Sequence, residues 1–508
     1  MAGKFRFAAW MGAGVLAGAL GTLQLQAFAR GTVSPLPLHE LQQLAAVYGL
    51  IKADYFEPVR GSKLVHDAIN GMVNGLDPHS EYLDVKDYKA FRESTSGKFV
   101  GVGIEIAPRD GLIEVVSPIE GSPAARAGIE AGDLITSIDN TAVKGLSLDR
   151  AVKLMRGKPG TKVSLSLWRK SANRRFTLVI TREEIHVQSV RSRMVQPGYG
   201  WVRISQFQSD TLPQFVSSID ALYKADPQLK GLVLDLRNDP GGLLESAVGV
   251  ASAFLPSDAV IVSTRGQIPE ANASYRNTPS DYSNTVGDNP LASLPAAVKK
   301  VPLVVLVNGG SASASEIVTG ALKDYKRGVV MGEPTFGKGS VQTVLPLGPD
   351  TALKLTTARY FTPNGQSIQA RGISPDYIVG PLPSGDPYAA LRMREVDYAN
   401  QIGTGNDASS SPAVRKALQL QQEARRALEA QIEQDPKKFP KLPAYGSAKD
   451  WQLEQALNLL QHKPVLTSPV PRILAGASAP AAAATPAASA RAAASAPAPA
   501  ASAAAPAH

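Results

Sequence analysis

Two segments, GLVLDLRNDPGGLLESAVGVASAF and VPLVVLVNGGSASASEIVTGAL, constrain the fold of this chain more than any others. Each opens with an apolar run that does not alternate, as a strand buried on both faces requires, and each passes through a glycine turn into a helical stretch. Strand, turn and helix in succession predict an α/β core from Tyr199 onward. The polar, turn-rich stretch from Arg265 to Leu294 reads as an excursion or hairpin between the two units.

The flanking chain has a different character. Residues 36–93 carry helical spacing in Leu38 to Ile51, with Leu41, Leu44, Ala45 and Tyr48 on one stripe, and in Leu64 to Val73, with a short loop at NGLDPHSEYL. From Gly97 to about Arg182, short β-branched runs (Gly101 to Ile106, Ile113 to Val116, Leu134 to Ile138, Val163 to Leu167, Phe176 to Ile180) alternate with Gly and Pro turns. That is a small β-rich domain, with Ser122 to Gly128 and Leu148 to Met155 as its helix candidates. Past residue 380, Ala413 to Glu433 and Asp450 to Leu460 read as helices. Residues 1–29, with Lys4 and Arg6 before an apolar stretch and Ala27-Phe28-Ala29 after it, read as an export signal, or alternatively an uncleaved anchor. Residues 475–508 are rich in Ala and Pro, have almost nothing to bury, and read as a disordered tail.

Composition removes several classes of chemistry. The 508 residues contain no cysteine, which excludes disulfides, thiolate metal sites and a cysteine nucleophile. Lys+Arg 53 against Asp+Glu 44 gives +9, spread without a basic block, so nucleic acid is not an expected partner. No His/Asp/Glu cluster has ligand spacing, so no metal site is indicated.

In VNGGSASASEIVTGAL the hydroxyls of Ser311, Ser313 and Ser315 emerge where the unpaired N–H groups of a helix start point. Such serines are either helix caps, with Ser315 the best cap candidate, or a nucleophile beside a ready oxyanion site, with Ser313 best placed in the turn. The histidines are His39, His66, His79, His186, His462 and His508, so none falls between residues 187 and 461 and a Ser/His/Asp triad within the core is excluded. A base there would have to be a desolvated lysine, and Lys338 between Gly337 and Gly339, with Gln342 following, supplies one. A phosphate loop is the rival for GEPTFGKG, but Gly339 stands where Ser or Thr would bind Mg²⁺ and a strand pattern follows. Gly241 and Gly242 in DLRNDPGG could aim N–H groups at an oxyanion, or simply turn strand into helix. In GVGIEI, exposed N–H groups of Val102 to Ile104 could capture a terminal carboxylate while a peptide adds as a strand.

The order of GVGIEI, SPAARAGIEAGDLITSID, DLRNDPGG, SASASEI, GKGSVQ and YFTPNGQSIQARGISPD resembles the carboxyl-terminal processing peptidases, tail-specific serine proteases with an inserted PDZ domain. The likeness runs from about Leu38 to Gly380. It implies a crotonase/ClpP-like α/β protease core (183–380 with 36–96), an inserted PDZ domain at 97–182, and flanking helical segments at 36–96 and 381–465. It implies a Ser313/Lys338 dyad with Gln342 orienting the lysine, an oxyanion hole from Ala314 N–H and a glycine of the Gly241/Gly242 pair, and a carboxylate loop at Gly101, Val102, Gly103 and Ile104. Substrates would be proteins or peptides with accessible C-termini, cleaved in the periplasm or cell envelope without a cofactor. An envelope adaptor or a homo-oligomer would fit the helices, and a membrane would be met only through an uncleaved N-terminal segment. Arg156 in LMRGKPG is a candidate contact for a PDZ-driven switch, or equally an exposed arginine. Two further readings are a non-catalytic PDZ scaffold, against which Ser313, Lys338 and Gln342 are all present, and a crotonase-like acyl-CoA enzyme, against which the export signal and PDZ insertion argue.

Overall fold

The computed structural model describes residues 36–468, apart from 110, 284, 399–401, 403–411 and 436–437. The expected export segment and the Ala/Pro tail lie outside the described residues. The chain divides into two units, the smaller being residues up to Leu76 with Ser80–Tyr82. It holds helices α1 (Leu38–Asp54) and α2 (Gly61–Asn74). The apolar stripe of α1 is exposed: Leu41, Leu44 and Tyr48 are each more than a third accessible.

In the larger unit, helix α3 (Val85–Ser96) is capped by Asp84, whose carboxylate accepts the N–H groups of Lys86 and Asp87, and is ended by Gly97 in the left-handed region. Strand β1 (Lys98–Gly101) follows. The β-rich domain then contains β2 (Ile104–Arg109), β3 (Leu112–Pro118), α4 (Pro123–Arg126), β4 (Leu134–Ile138), the short β5 (Thr141–Ala142) that pairs only with β4, α5 (Leu148–Met155), β6 (Lys162–Arg169) and β7 (Arg174–Thr181). Its antiparallel sheet has the order β2-β3-β4-β6-β7, which leaves β2 at an edge. Val163, Leu165 and Leu167 alternate inward from β6 and meet Ala151 and Met155 of α5, the period-2 face packed on a helix face. The single strand expected over Gly101 to Ile106 is instead two. β1 pairs with β8 (Glu183–His186), and the chain turns at Gly103, with φ +79°, before β2 begins. A Cβ at Gly103 would sit 2.3 Å from Cβ of Ser122, so only glycine permits that turn.

The α/β core comprises β9 (Val190–Gln196), β10 (Tyr199–Ile204), α6 (Thr211–Ala225), β11 (Gly231–Asp235), α7 (Leu244–Ser252), β12 (Val260–Gly266), β13 (Ala273–Arg276), β14 (Leu303–Val307), α8 (Ala314–Asp324), β15 (Val329–Gly332), β16 (Ser340–Pro346), β17 (Ala352–Phe361) and β18 (Tyr377–Ile378). The main sheet runs β9-β10-β11-β14-β15-β18, parallel throughout except for the β9/β10 pair. Leu232, Leu234, Val305 and Val307 face one layer, where Phe215 and Ile219 of α6, Val248 of α7 and Ile317 of α8 pack. Val233, Val304 and Leu306 face the other. That second face explains the unalternated runs, because it is closed by the C-terminal helix following α9 (Pro412–Gln434), namely α10 (Trp451–Leu460), through Leu453, Ala456, Leu457 and Leu460. The excursion after Arg265 returns as β13 to pair with β12, in a second, antiparallel sheet with β17 and β16.

Candidate active site

Strands β11, β14 and β15 are neighbours and run parallel, so the loops at their carboxyl ends emerge side by side, where open α/β sheets bind ligands. Those loops are Leu236–Leu243, Asn308–Ser313 and Glu333–Gly339, and they carry the glycine pair, the serines and Lys338.

The first two are stitched together. Ser311 Oγ donates to Leu236 O at 2.8 Å, Ala312 N–H to Asp239 O at 2.9 Å, and Asn238 N–H to Asn308 Oδ1 at 2.8 Å. Ser315 is not the helix cap: it is fully buried inside α8 and its hydroxyl donates to Asp239 O at 3.0 Å. The cap position belongs to Ser313, which sits with Glu316 in a capping-box arrangement whose close bond is Ser313 N–H to Glu316 Oε2, while among the described residues no close hydrogen bond holds the Ser313 hydroxyl. Ser313 also has φ +53°, a left-handed conformation costly for a residue with a Cβ. Of the three serines, Ser313 is thus the one that is partly exposed and whose hydroxyl is not committed to the neighbouring turn among the described residues.

Gly241 approaches that serine closely. A Cβ there would lie 2.8 Å from Ala314 N and 2.8 Å from Ser313 Cβ. Its own N–H, however, donates to Asp239 Oδ1 at 2.9 Å, so it is Gly242 whose N–H has no partner among the described residues. Burial pushes the Asp239 carboxyl up to about 8, which keeps a negative charge away from the turn at neutral pH.

The third loop reaches the serine through one carboxylate that the sequence motifs did not flag. Glu316 is fully buried on the first turn of α8. Its Oε2 accepts the N–H of Ser313 and of Lys338, both at 2.9 Å, and its Oε1 accepts Gly337 N–H at 2.7 Å and Thr335 Oγ1–H at 2.5 Å. Serine and lysine backbones therefore hang on the same oxygen, Oε2 of Glu316. The Lys338 amine is held below the ordinary lysine range, first by desolvation and then by the charge of Lys354, while Glu395, Glu316 and Asp77 act in the opposite direction. Gln342, on β16, donates to Ser340 Oγ at 2.9 Å and to Thr356 Oγ1 at 3.4 Å, not to Lys338. A strand follows Lys338 directly, as the alternation of SVQTVLPL predicts. Among the described residues no group of three or more His, Asp or Glu side chains is placed to hold a metal ion.

In the β-rich domain the carbonyl of Val102 accepts Ala124 N–H at 3.0 Å, and that of Gly103 accepts Ile119 N–H and Ser122 Oγ–H, both at 2.9 Å. Peptide planarity then turns the N–H groups of Gly103 and Ile104 to the opposite side, at the start of edge strand β2. Arg156, at the C-terminal end of α5, pairs with Glu93 of α3 and lies 5.2 Å over the Phe99 ring. His186 is exposed and faces Asp210 at 3.1 Å.

Residues 198–379 match the model of Peptidase family S41, residues 114–169 that of a PDZ domain, and residues 9–87 that of the Activating protease CtpB N-terminal domain. The carboxy-terminal-processing protease of Bartonella bacilliformis is 43% identical over 347 residues, covering 68% of this chain and 76% of that protein. The chain belongs to peptidase family S41. This S41 peptidase is a carboxy-terminal-processing serine protease with a PDZ domain in a mixed α/β fold. It is also similar to a probable CtpA-like serine protease of Staphylococcus aureus, 40% identical over 342 residues, which cover 67% of this chain and 64% of that one. Among solved structures, the photosystem II D1 C-terminal processing protease matches at 32% identity and a TM-score of 0.38, covering 68% of this chain and 94% of that one.

Proposed function

We propose that the S41 peptidase is a cell-envelope endopeptidase that captures C-terminal tails in its PDZ domain and cleaves extended or poorly folded chains with Ser313 as nucleophile and Lys338 as base. The observation that carries this reading is the shared Glu316 carboxylate, which holds the strained Ser313 turn and the glycine-flanked Lys338 loop to one anchor. Neutral Lys338 takes the Ser313 proton as Oγ attacks the scissile carbonyl. The N–H groups of Ala314 and Gly242 would receive the oxyanion, a reading supported by the close approach of Gly241 to Ala314 N. Collapse expels the amine of the downstream segment, which takes the proton back from Lys338, and leaves an ester on Ser313. Water, deprotonated by Lys338, hydrolyses the ester to a carboxylic acid and restores the serine. Gln342 would complete the site by turning toward the lysine when substrate binds.

A tail would add as a strand along β2, its carboxylate on the N–H groups at Gly103 and Ile104 beside Gly101 and Val102. Export through the N-terminal segment, a crotonase/ClpP-like core, and adaptor or self-association through the exposed face of α1 belong to the same proposal, as does a regulatory part for the Arg156 contact. The test is cleavage of an unfolded C-terminally tailed substrate by wild type, Ser313→Ala and Lys338→Ala. The two variants should lose about 10³-fold or more in kcat. Wild-type rates in both would remove the dyad.

A further inference from the structure

The loop at Asp77–His79 stands far in sequence from the proposed dyad, yet it reaches the lysine through a buried chain of side chains. His79 Nε2 lies 3.0 and 2.8 Å from the two carboxylate oxygens of Glu395, which is fully buried. Glu395 Oε1 also accepts from Gln369 Nε2 at 2.8 Å. Gln369, itself fully buried, accepts Gly339 N–H on its Oε1 at 2.9 Å. Glu395 N–H in turn donates to Phe336 O at 3.1 Å, and the Tyr398 ring meets both Phe336 and His79 edge to face, at 6.3 and 6.1 Å between centroids. The residues on both sides of Lys338 are therefore gripped by the segment from Glu395 to Tyr398, and that segment is pinned by His79.

We infer that His79 and Glu395 are positioning residues for Lys338, a pair with a fully buried carboxylate and a partly exposed imidazole that fixes the lysine loop and sets the charge the amine faces. Apolar side chains could fill the carboxylate's space at less cost, so an ionisable pair at this position points to an electrostatic task. Lys338 feels Lys354 from β17, Glu316 from α8, Asp77 from the His79 loop and Glu395 from the segment Glu395–Tyr398. His79 faces the Glu395 carboxylate, and its backbone N–H donates to Asp77 Oδ1 at 2.8 Å. A negative Glu395 favours the ammonium form of Lys338, which cannot accept a proton. A donor from His79 on both oxygens draws that charge away from the amine.

The inference rests on Lys338 being the base, and it makes predictions of opposite sign. The acid limb of kcat/KM against pH reports the base in the free enzyme. His79→Ala should move that limb to higher pH by about 0.5–1 unit, with kcat falling more than KM rises. Glu395→Gln, which keeps the shape and removes the charge, should move it to lower pH by a similar amount. His79→Gln restores a donor and should recover most of the His79→Ala shift. Limbs that stay at the wild-type position in His79→Ala and Glu395→Gln, or that move the same way in both, would overturn the inference. If His79→Ala fails to fold, Glu395→Gln decides alone: a limb that stays in place or moves to higher pH is contrary. Lys338→Ala in the same assay separates the two levels. An active Lys338→Ala enzyme removes the base itself, whereas an inactive one with unmoved limbs in the other variants removes only this role for the pair.

Discussion

At Ser313, the left-handed backbone and the unengaged hydroxyl have a common origin in the bonds around them. Ser311 and Ser315 spend their hydroxyls on the neighbouring β11 turn, and Glu316 takes the Ser313 N–H, so Ser313 is left strained and chemically free. The Ser-x-Ser-x-Ser pattern locates the turn but does not rank its members, because the ranking depends on Leu236 O and Asp239 O from the loop that follows β11. Glu316 reads in sequence as an ordinary helix-start acid, and nothing local shows that Thr335 and Gly337 will reach it. Glu316→Gln replaces one acceptor oxygen by a donor facing N–H groups, and should cost about 2–4 kcal/mol of stability together with a fall in kcat, read by urea denaturation and turnover. Lys354→Gln removes the cation that helps keep Lys338 neutral, so the acid limb of kcat/KM should move to higher pH; a limb that stays or moves down would count against that charge effect. Burial pushes the Asp239 carboxyl up to about 8 in the folded chain, against an ordinary carboxyl range near 4 when unfolded. Between those values the folded state holds a proton that the unfolded state has released, so this residue's contribution to stability falls as pH rises through the window. Asp239→Asn should flatten the loss of urea midpoint between pH 4 and pH 8 relative to wild type.

At the scale of elements, the legible features were those whose cause is local. Unbroken apolar runs gave β11 and β14, the Gly and Pro punctuation gave most PDZ strands, and alternation after Lys338 gave β16. The break between β1 and β2 was not legible, because GVGIEI reads as one strand unless Ser122 is known to lie against Gly103. That break is what turns the N–H groups outward. Gly103→Ala forces a Cβ onto the Ser122 side chain in a backbone region that alanine avoids, and should raise KM for tailed substrates several-fold while kcat changes far less. A kcat defect with unchanged KM would place the tail elsewhere.

For the whole molecule, the C-terminal segment is part of the protease core. Arg237 is fully buried and donates to Asp450 at 2.8 and 2.7 Å while also binding Asp235, so α10 is locked to the strand that leads into the glycine turn. The two residues are 213 apart in the chain, which is why helical periodicity found α10 but gave no hint of its partner. Asp450→Ala would strip one of the two carboxylates from the buried Arg237, leaving Asp235 as its remaining partner, and should cost about 3–5 kcal/mol, seen as a lower urea midpoint; a loss below 1 kcal/mol would show the lock to be dispensable. The Glu316 clamp, the lysine loop and this lock all bear on the central proposal, that Ser313 is acylated with Lys338 as its base. Acid-quenched turnover of a tailed substrate, followed by mass spectrometry of the digested enzyme, tests it most directly. An acyl adduct on the peptide containing Ser313, present in wild type and absent in Lys338→Ala, is the predicted result; an adduct on another residue, or one that forms equally fast without Lys338, would contradict it.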